Sequence, residues 1–243
     1  MRTDRLPPGI HPIRGVMSVC HLLVEGPDAW MLDTGMVGEP PLVRRLLRRL
    51  GLTAQSIRGI VLTHGHLDHA GNLAFFKDWT GAPVYGHPLE QRHIDGCYPY
   101  EGTARWCGRL EATGRRALRY RPAAIDEPFE DGDVLPVWGG LRVVHLPGHT
   151  EGHCGFYSEK HDLLFSGDLF ASYFFNTHLP PPILNSRPEL IPESLRKAGR
   201  LDPRRIVPNH YDFPDPELHK RRFEGLCRKV FARRADVFKG AER

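Results

Sequence analysis

Three histidines and an aspartate crowd into six consecutive positions, His64-Gly65-His66-Leu67-Asp68-His69. Histidine makes up 14 of 243 residues, so composition alone does not produce such a cluster. The preceding run, Ile57 to Thr63, is short and apolar and reads as a strand. Residues i and i+2 of an extended segment project to the same side, which lets His64 and His66 close on one metal ion. Asp68 and His69 fall at the turn into the next helix and can aim at a second ion. Imidazole and carboxylate are ligands for zinc and for iron alike. A turn merely rich in histidine is the plainer alternative, and the density of donors argues against it.

Three more donors occupy matching places. His149, Asp168 and His210 each follow an apolar run that reads as a strand. Loops at strand ends on one edge of a sandwich converge in space. Together with the first cluster they make seven ligands, a number that suits two ions with one carboxylate between them.

The elements that must carry these residues follow from periodicity and turn chemistry. Met17 to Val24 and Ala29 to Leu32 read as strands around the turn Glu25-Gly26-Pro27-Asp28. Leu42, Val43, Leu46, Leu47 and Leu50 recur at helical spacing and stop at Gly51. A helix is expected from about Gly71 to Trp79 and a strand near Pro83 to Tyr85. Residues 90–125 have only a weak helical pattern and read either as a substrate-facing insertion or as a helical excursion on the surface. Strands are expected again at Val134 to Val137, Leu141 to Leu146, Gly155 to Ser158, Leu163 to Ser166 and Arg205 to Val207, with helices at Pro188 to Gly199 and Pro216 to about Phe238. Both halves thus run strands then helices. The expected fold is α+β, two sheets face to face with helices outside, in one domain over residues 1–243.

Composition narrows the setting. Hydrophobic residues make up 40% and charged residues 26%, as in an ordinary globular protein. The net charge of +4 is mild and its arginines are spread over several helices, so no nucleic-acid partner is expected. Cys20, Cys97, Cys107, Cys154 and Cys227 are odd in number and widely spaced, which argues against a disulfide framework and against a thiolate zinc site. Met1 to Pro8 lack the apolar run of a signal peptide and no apolar run approaches the ~20 residues of a membrane span, so a cytoplasmic protein with no membrane partner is expected. A homodimer is the default for oligomeric state.

His64-x-His66-x-Asp68-His69, then Pro147-Gly148-His149-Thr150-x-Gly152-His153, Ser166-Gly167-Asp168 and Asn209-His210, with Leu32-Asp33-Thr34-Gly35 before them, resembles the metallo-β-lactamase superfamily in the family's own order over most of the chain. The resemblance implies a four-layer αβ/βα sandwich with the metals at one sheet edge. It implies His64, His66 and His149 on one ion, Asp68, His69 and His210 on the other, and Asp168 bridging. It also implies two divalent ions, zinc first with iron or manganese admissible, and a bridging hydroxide that attacks a small-molecule ester, lactone or thioester. Asp68 would orient the nucleophile or carry its proton. Zinc β-lactamases usually lack an aspartate at the Asp168 position, which points away from antibiotic hydrolysis. His66 stands where flavodiiron relatives carry Glu. The glyoxalase II group shares the Pro147 to His153 pattern but usually ends in Gly-His-Gly, whereas this chain has Pro208-Asn209-His210-Tyr211. Lactonase relatives use a tyrosine soon after the bridging aspartate, a place Tyr173 approaches.

Around these, Asp33 is expected to orient a metal-binding histidine, and His153 to support the site rather than ligate. His87, Tyr173, His178 and Tyr211 are candidates for the substrate pocket. The competing functions are phosphodiester cleavage, a mononuclear iron persulfide dioxygenase using two histidines and an aspartate, and a non-catalytic binding module.

Overall fold

Neighbouring apolar residues in a strand face opposite ways, and in this chain both faces are used. The computed structural model describes residues 6–240, with backbone only over 233–240. An antiparallel meander, β1 (Ile10–Arg14), β2 (Val19–Glu25) and β3 (Asp28–Leu32), opens the first sheet. Helix α1 (Glu39–Leu50) crosses over to β4 (Ile57–Val61), which lies parallel to β3. Helices α2 (Leu67–Ala70) and α3 (Leu73–Thr80) lead to β5 (Val84–Gly86), and α4 (Gln91–Ile94) and α5 (Arg105–Ala117) to the two-residue β6 (Glu127–Pro128). The six strands lie in sequence order.

The second sheet is built from β7 (Val134–Leu135), β8 (Leu141–His145), β9 (Cys154–Ser158) and β10 (Leu163–Gly167). A small hairpin, β11 (Ala171–Ser172) with β12 (Thr177–His178), then leaves the sheet. Helix α6 (Ile191–Arg200) returns the chain to β13 (Arg205–Pro208), parallel to β10, and α7 (Pro216–Gly240) closes it. The order is β13-β10-β9-β8-β7.

Six consecutive pairs show why the sheets stack. Leu23, Leu32 and Val61 meet Val143, Phe165 and Val207 in the core between the sheets. Their neighbours Leu22, Met31 and Ile60 face outward under Val43, Leu47, Leu73 and Phe76. Likewise Val144, Leu164 and Ile206 face outward under Leu195, Ala198, Phe223 and Leu226. The result is helix, sheet, sheet, helix, the expected four-layer sandwich. Among the described residues no helix is long and apolar enough to cross a membrane.

Three local differences from the sequence reading have physical causes. Strand β1 carries Pro12 and buries only Ile10 and Ile13, a pattern too sparse to read, and it is tolerated because β1 lies at the sheet edge. The helix expected from Gly71 is preceded by a separate turn of helix, α2, that starts inside the histidine cluster. Residues 90–125 are helical in part, and α5 leans on that cluster: Glu111 Oε1 accepts the Leu67 N–H at 2.8 Å.

Candidate metal centre

Strands β3, β4, β8, β10 and β13 all end at one edge of the sandwich. The residues that follow them are Asp33, the His64 cluster, His149, Asp168 and His210. Two donor sets result, each with its ligand atoms within 4.8 Å of one another: His64, His66 and His149, and Asp68, His69, Asp168 and His210. His66 Nδ1 lies 2.9 Å from His149 Nε2. Asp168 faces both sets: its Oδ1 lies 3.3 Å from His69 Nε2, and its Oδ2 lies 3.2 Å from His210 Nε2 and 3.5 Å from His149 Nε2. Asp68 Oδ2 lies 3.5 Å from His69 Nε2 and 3.4 Å from His210 Nε2.

The outer nitrogens of His64, His66, His69 and His149 have partners that fix which nitrogen stays bare. Asp33 is the hub, fully buried and in the left-handed region at φ 60°. Its Oδ1 accepts the Thr63 N–H at 2.8 Å. Its Oδ2 accepts from Thr63 Oγ1 (2.8 Å), His69 Nδ1 (3.0 Å) and Asn209 Nδ2 (2.7 Å). The Thr63 hydroxyl spends its proton on Asp33, so its oxygen is left to accept from His64 Nδ1 at 3.0 Å. His149 Nδ1 meets Asn185 Oδ1 at 3.0 Å, and Asn185 Nδ2 donates to the Pro180 and Pro181 carbonyls, which sets the amide's orientation. His66 Nε2 meets the Cys107 thiol at 3.9 Å. The bare Nε2 atoms of His64, His69 and His149 therefore point inward.

This donor set fits cations. His64 Nε2 is buried with no partner, and His69 Nε2 and Asp168 Oδ1 are buried with an ion-pair contact at 3.3 Å but no aligned hydrogen bond, a costly state for polar atoms unless an ion uses them. Burial lowers His66 and His149 to about 4, which leaves both as neutral bases able to ligate at pH 7. Burial opposes ionisation of Asp168, but His210 and His69 outweigh it and hold the carboxyl well below the usual range. Burial also disfavours charge on His210, yet Asp168 and Asp68 outweigh it and raise the ring to about 10. Asp68 and Asp168 thus favour positive charge at the second set, carried here by the His210 and His69 rings and available to a dication that displaces their protons.

The family model for the metallo-beta-lactamase superfamily matches residues 13–210. The chain belongs to this superfamily of metallo-hydrolases. A protein of Aquifex aeolicus (strain VF5) is 36% identical over 112 residues, which are 46% of this chain and only 48% of that one. The hydroxyacylglutathione hydrolase GloC of Haemophilus influenzae is 27% identical over 180 residues, 70% of this chain and 76% of its own. A metallo-beta-lactamase family protein of Thermus thermophilus superposes with a TM-score of 0.73 at 26% identity, covering 93% of this chain and 81% of that one. TTHA1623, solved in a di-iron-bound form, gives a TM-score of 0.62 at 28% identity over 84% and 91% of the two chains.

In this superfamily member the other sequence-derived candidates separate. His153 is buried with its Nδ1 on the Leu146 carbonyl (2.9 Å) and its Nε2 accepting the Asp168 N–H (2.9 Å), so it positions Asp168. Tyr173 and His178 line a cavity of about 160 Å³ whose floor is His149, Asp168 and His210. His87 is not among that cavity's lining residues; its ring stacks on His145 at 4.6 Å and its Nδ1 caps Leu89 N–H. Tyr211 is also misread as a pocket residue: it is buried in the core between the sheets with its hydroxyl 3.3 Å from His21 Nε2. Position in the sequence says nothing of where these two side chains turn.

Glu90, Asn185 and Cys107 escaped the sequence reading. Glu90 clasps the two histidine loops together: Oε2 accepts the Gly65 N–H (2.6 Å) and Oε1 the Gly152 N–H (2.7 Å). Burial pushes its carboxyl up to about 7 against those two donors. A Cβ at Gly65 would stand 2.8 Å from His93 Cβ and 2.9 Å from the Glu90 carbonyl, so glycine is required for this approach. Asn185 yields a prediction. Replacing Asn185 by Leu removes the acceptor that holds His149 in its Nε2-bare form, and should weaken metal binding roughly 10–100-fold, as loss of such supports does. Chelator competition on the folded variant measures this, and unchanged affinity would remove the assigned role.

Proposed function

We propose that this protein hydrolyses a thioester, ester or lactone of a small molecule at a centre of two divalent ions. The carrying observation is Asp168, placed between a three-histidine set and an aspartate–histidine set and within 3.5 Å of donors in both. His64, His66 and His149 would hold one ion, Asp68, His69 and His210 the other, and Asp168 both. Divalent ions so held bring the pKa of a water down towards ~7 and polarise a carbonyl oxygen as Lewis acids. The same ligands accept zinc, iron or manganese, and zinc is the first choice for this mixture of imidazole and carboxylate.

The chain's own groups supply the rest. Asp68 is held by the Ser18 hydroxyl on its backbone carbonyl (2.6 Å), and His69 and His210 outweigh burial to keep its carboxylate ionised, so that it can accept a hydrogen bond from an attacking water and orient it. Burial, with Asp168 nearby, raises the Tyr173 phenol, so it keeps its proton and serves as a donor in the cavity wall. Two relatives support the reading: GloC is named a hydroxyacylglutathione hydrolase, and TTHA1623 was solved in a di-iron-bound form. The test is metal quantification on natively purified protein, with the same sample assayed on thioester, lactone and phosphodiester panels and for oxygen uptake with a persulfide. Two ions per chain with acyl hydrolysis is the expected result. One iron per chain with oxygen uptake would overturn it.

A further inference from the structure

The cavity beside the ligands has its own chemistry. Phe170, Ala171, Pro180, Pro181 and Leu184 make up the apolar half of its lining, and no lysine, arginine or glutamate lines it. Its volume, about 160 Å³, is close to that of an engineered apolar cavity of about 150 Å³ that takes benzene. The wall is also stiff. Proline fixes its own φ, and Asn185 ties the Pro180 and Pro181 carbonyls to the ring of His149. Ser186 N–H and Oγ bind the His149 carbonyl at 2.9 and 3.0 Å, and Arg187 N–H binds that of Gly148 at 3.0 Å. The loop therefore cannot widen without pulling on a metal ligand.

Resting on the hydrolase reading above, we infer that this cavity receives the acyl portion of the substrate, and that this portion is uncharged, apolar and no larger than about six carbons. Hydrolysis of a thioester breaks the C–S bond and forms a C–O bond, and a water proton ends on the departing thiolate. The negative charge of the acid product stays on its carboxylate beside the cationic centre, while its tail remains in the apolar space. The reverse orientation would put the departing thiolate against a mostly apolar wall, where Tyr173 and His178 are the polar side chains besides the ligand candidates, and burying charge there is costly. A dicarboxylic acyl group would bury its second carboxylate in the same unfavourable place.

Acyl thioesters of one thiol, N-acetylcysteamine, from acetyl to decanoyl and including succinyl, test this on zinc-loaded protein. We expect kcat/KM to rise about fourfold per added methylene up to about six carbons, then to fall, with succinyl at least about tenfold below butyryl. Leu184→Trp should move the optimum to shorter chains and Leu184→Ala to longer ones, so the pair reads in opposite directions even if one is poorly folded. Binding of acetate, hexanoate and decanoate by calorimetry supplies an arm independent of turnover. Hydrolysis of all chains with no size dependence, or of succinyl as well as butyryl, would overturn the cavity assignment and leave the hydrolase reading standing. Preference for hexanoate in binding with no turnover of any thioester, nor of the matching esters and lactones, would support the cavity assignment and overturn the hydrolase reading.

Discussion

Replacing Asp168 by Asn should lower kcat/KM by on the order of 10³-fold or more and cut the metal content below two ions per chain, while the fold persists. The size of the effect follows from position. One carboxylate faces His69 and His210 through 3.3 and 3.2 Å contacts and His149 at 3.5 Å, so among the described residues it is the acidic group shared by both donor sets. Asparagine keeps the volume but removes the charge, and two dications held as proposed would lose the anion between them. The Lewis-acid and water-activating contributions are worth several kcal/mol together, and each 1.36 kcal/mol is tenfold in rate. The fold should tolerate the change because the Asp168 backbone N–H still reaches His153 Nε2, and β10 pairs with β9 and β13 through main-chain bonds. Metal analysis, steady-state kinetics and a thermal melt on one preparation check all three statements. Full activity with two ions bound would show that Asp168 is not shared.

What the sequence revealed about this site depended on how local each signal was. His64, His66, Asp68 and His69 stood out because four donors fall within six positions, a signal that is wholly local, although β4 ends at Val61 and Asp68 and His69 lie in α2. His149, Asp168 and His210 were legible because each ends an apolar run that must be a strand. The layers were legible from doubled apolar residues such as Leu22-Leu23 and Ile206-Val207, which feed two cores at once. Glu90 was not, since it joins Gly65 and Gly152, which lie 25 and 62 positions away in the chain. Asn185 sits in a loop without periodicity and meets its histidine 36 residues back. The stretch from 90 to 125 was obscure for a further reason. Helix α5 buries only Cys107 fully, so it has no apolar stripe to read. It is held instead by polar contacts, with Arg115 donating to the His93 and Ile94 carbonyls and Glu111 accepting from Leu67 N–H.

The second large effect is expected at Asp33, where Asn should be almost as damaging as Ala. Four donors converge on this carboxylate: Thr63 N–H on Oδ1, and Thr63 Oγ1, His69 Nδ1 and Asn209 Nδ2 on Oδ2. An amide can present one oxygen to Thr63 N–H, but its NH₂ then faces three donors. Turned over, it serves the three donors on the Oδ2 side and opposes the Thr63 N–H. Either way buried donors are left without acceptors, at about 1–3 kcal/mol each, and a total loss of about 3–5 kcal/mol should lower Tm by roughly 10 °C in a chain of this size. The functional loss is broader than one ligand. His69 loses its outer partner directly. His64 loses it through Thr63, whose hydroxyl no longer has a carboxylate to receive its proton. His210 is affected through its chain neighbour Asn209. One substitution therefore loosens ligands of both donor sets, and metal affinity should fall by more than the 10–100-fold typical of a single support. Melting the variant with and without chelator separates the two contributions. A drop in Tm that survives chelation measures the buried hydrogen bonds, and a further drop in the metal-loaded protein measures the ligands. A D33N protein with wild-type Tm under chelation and full metal content would mean that packing alone aims His69, and that the hub at Asp33 holds neither ion in place.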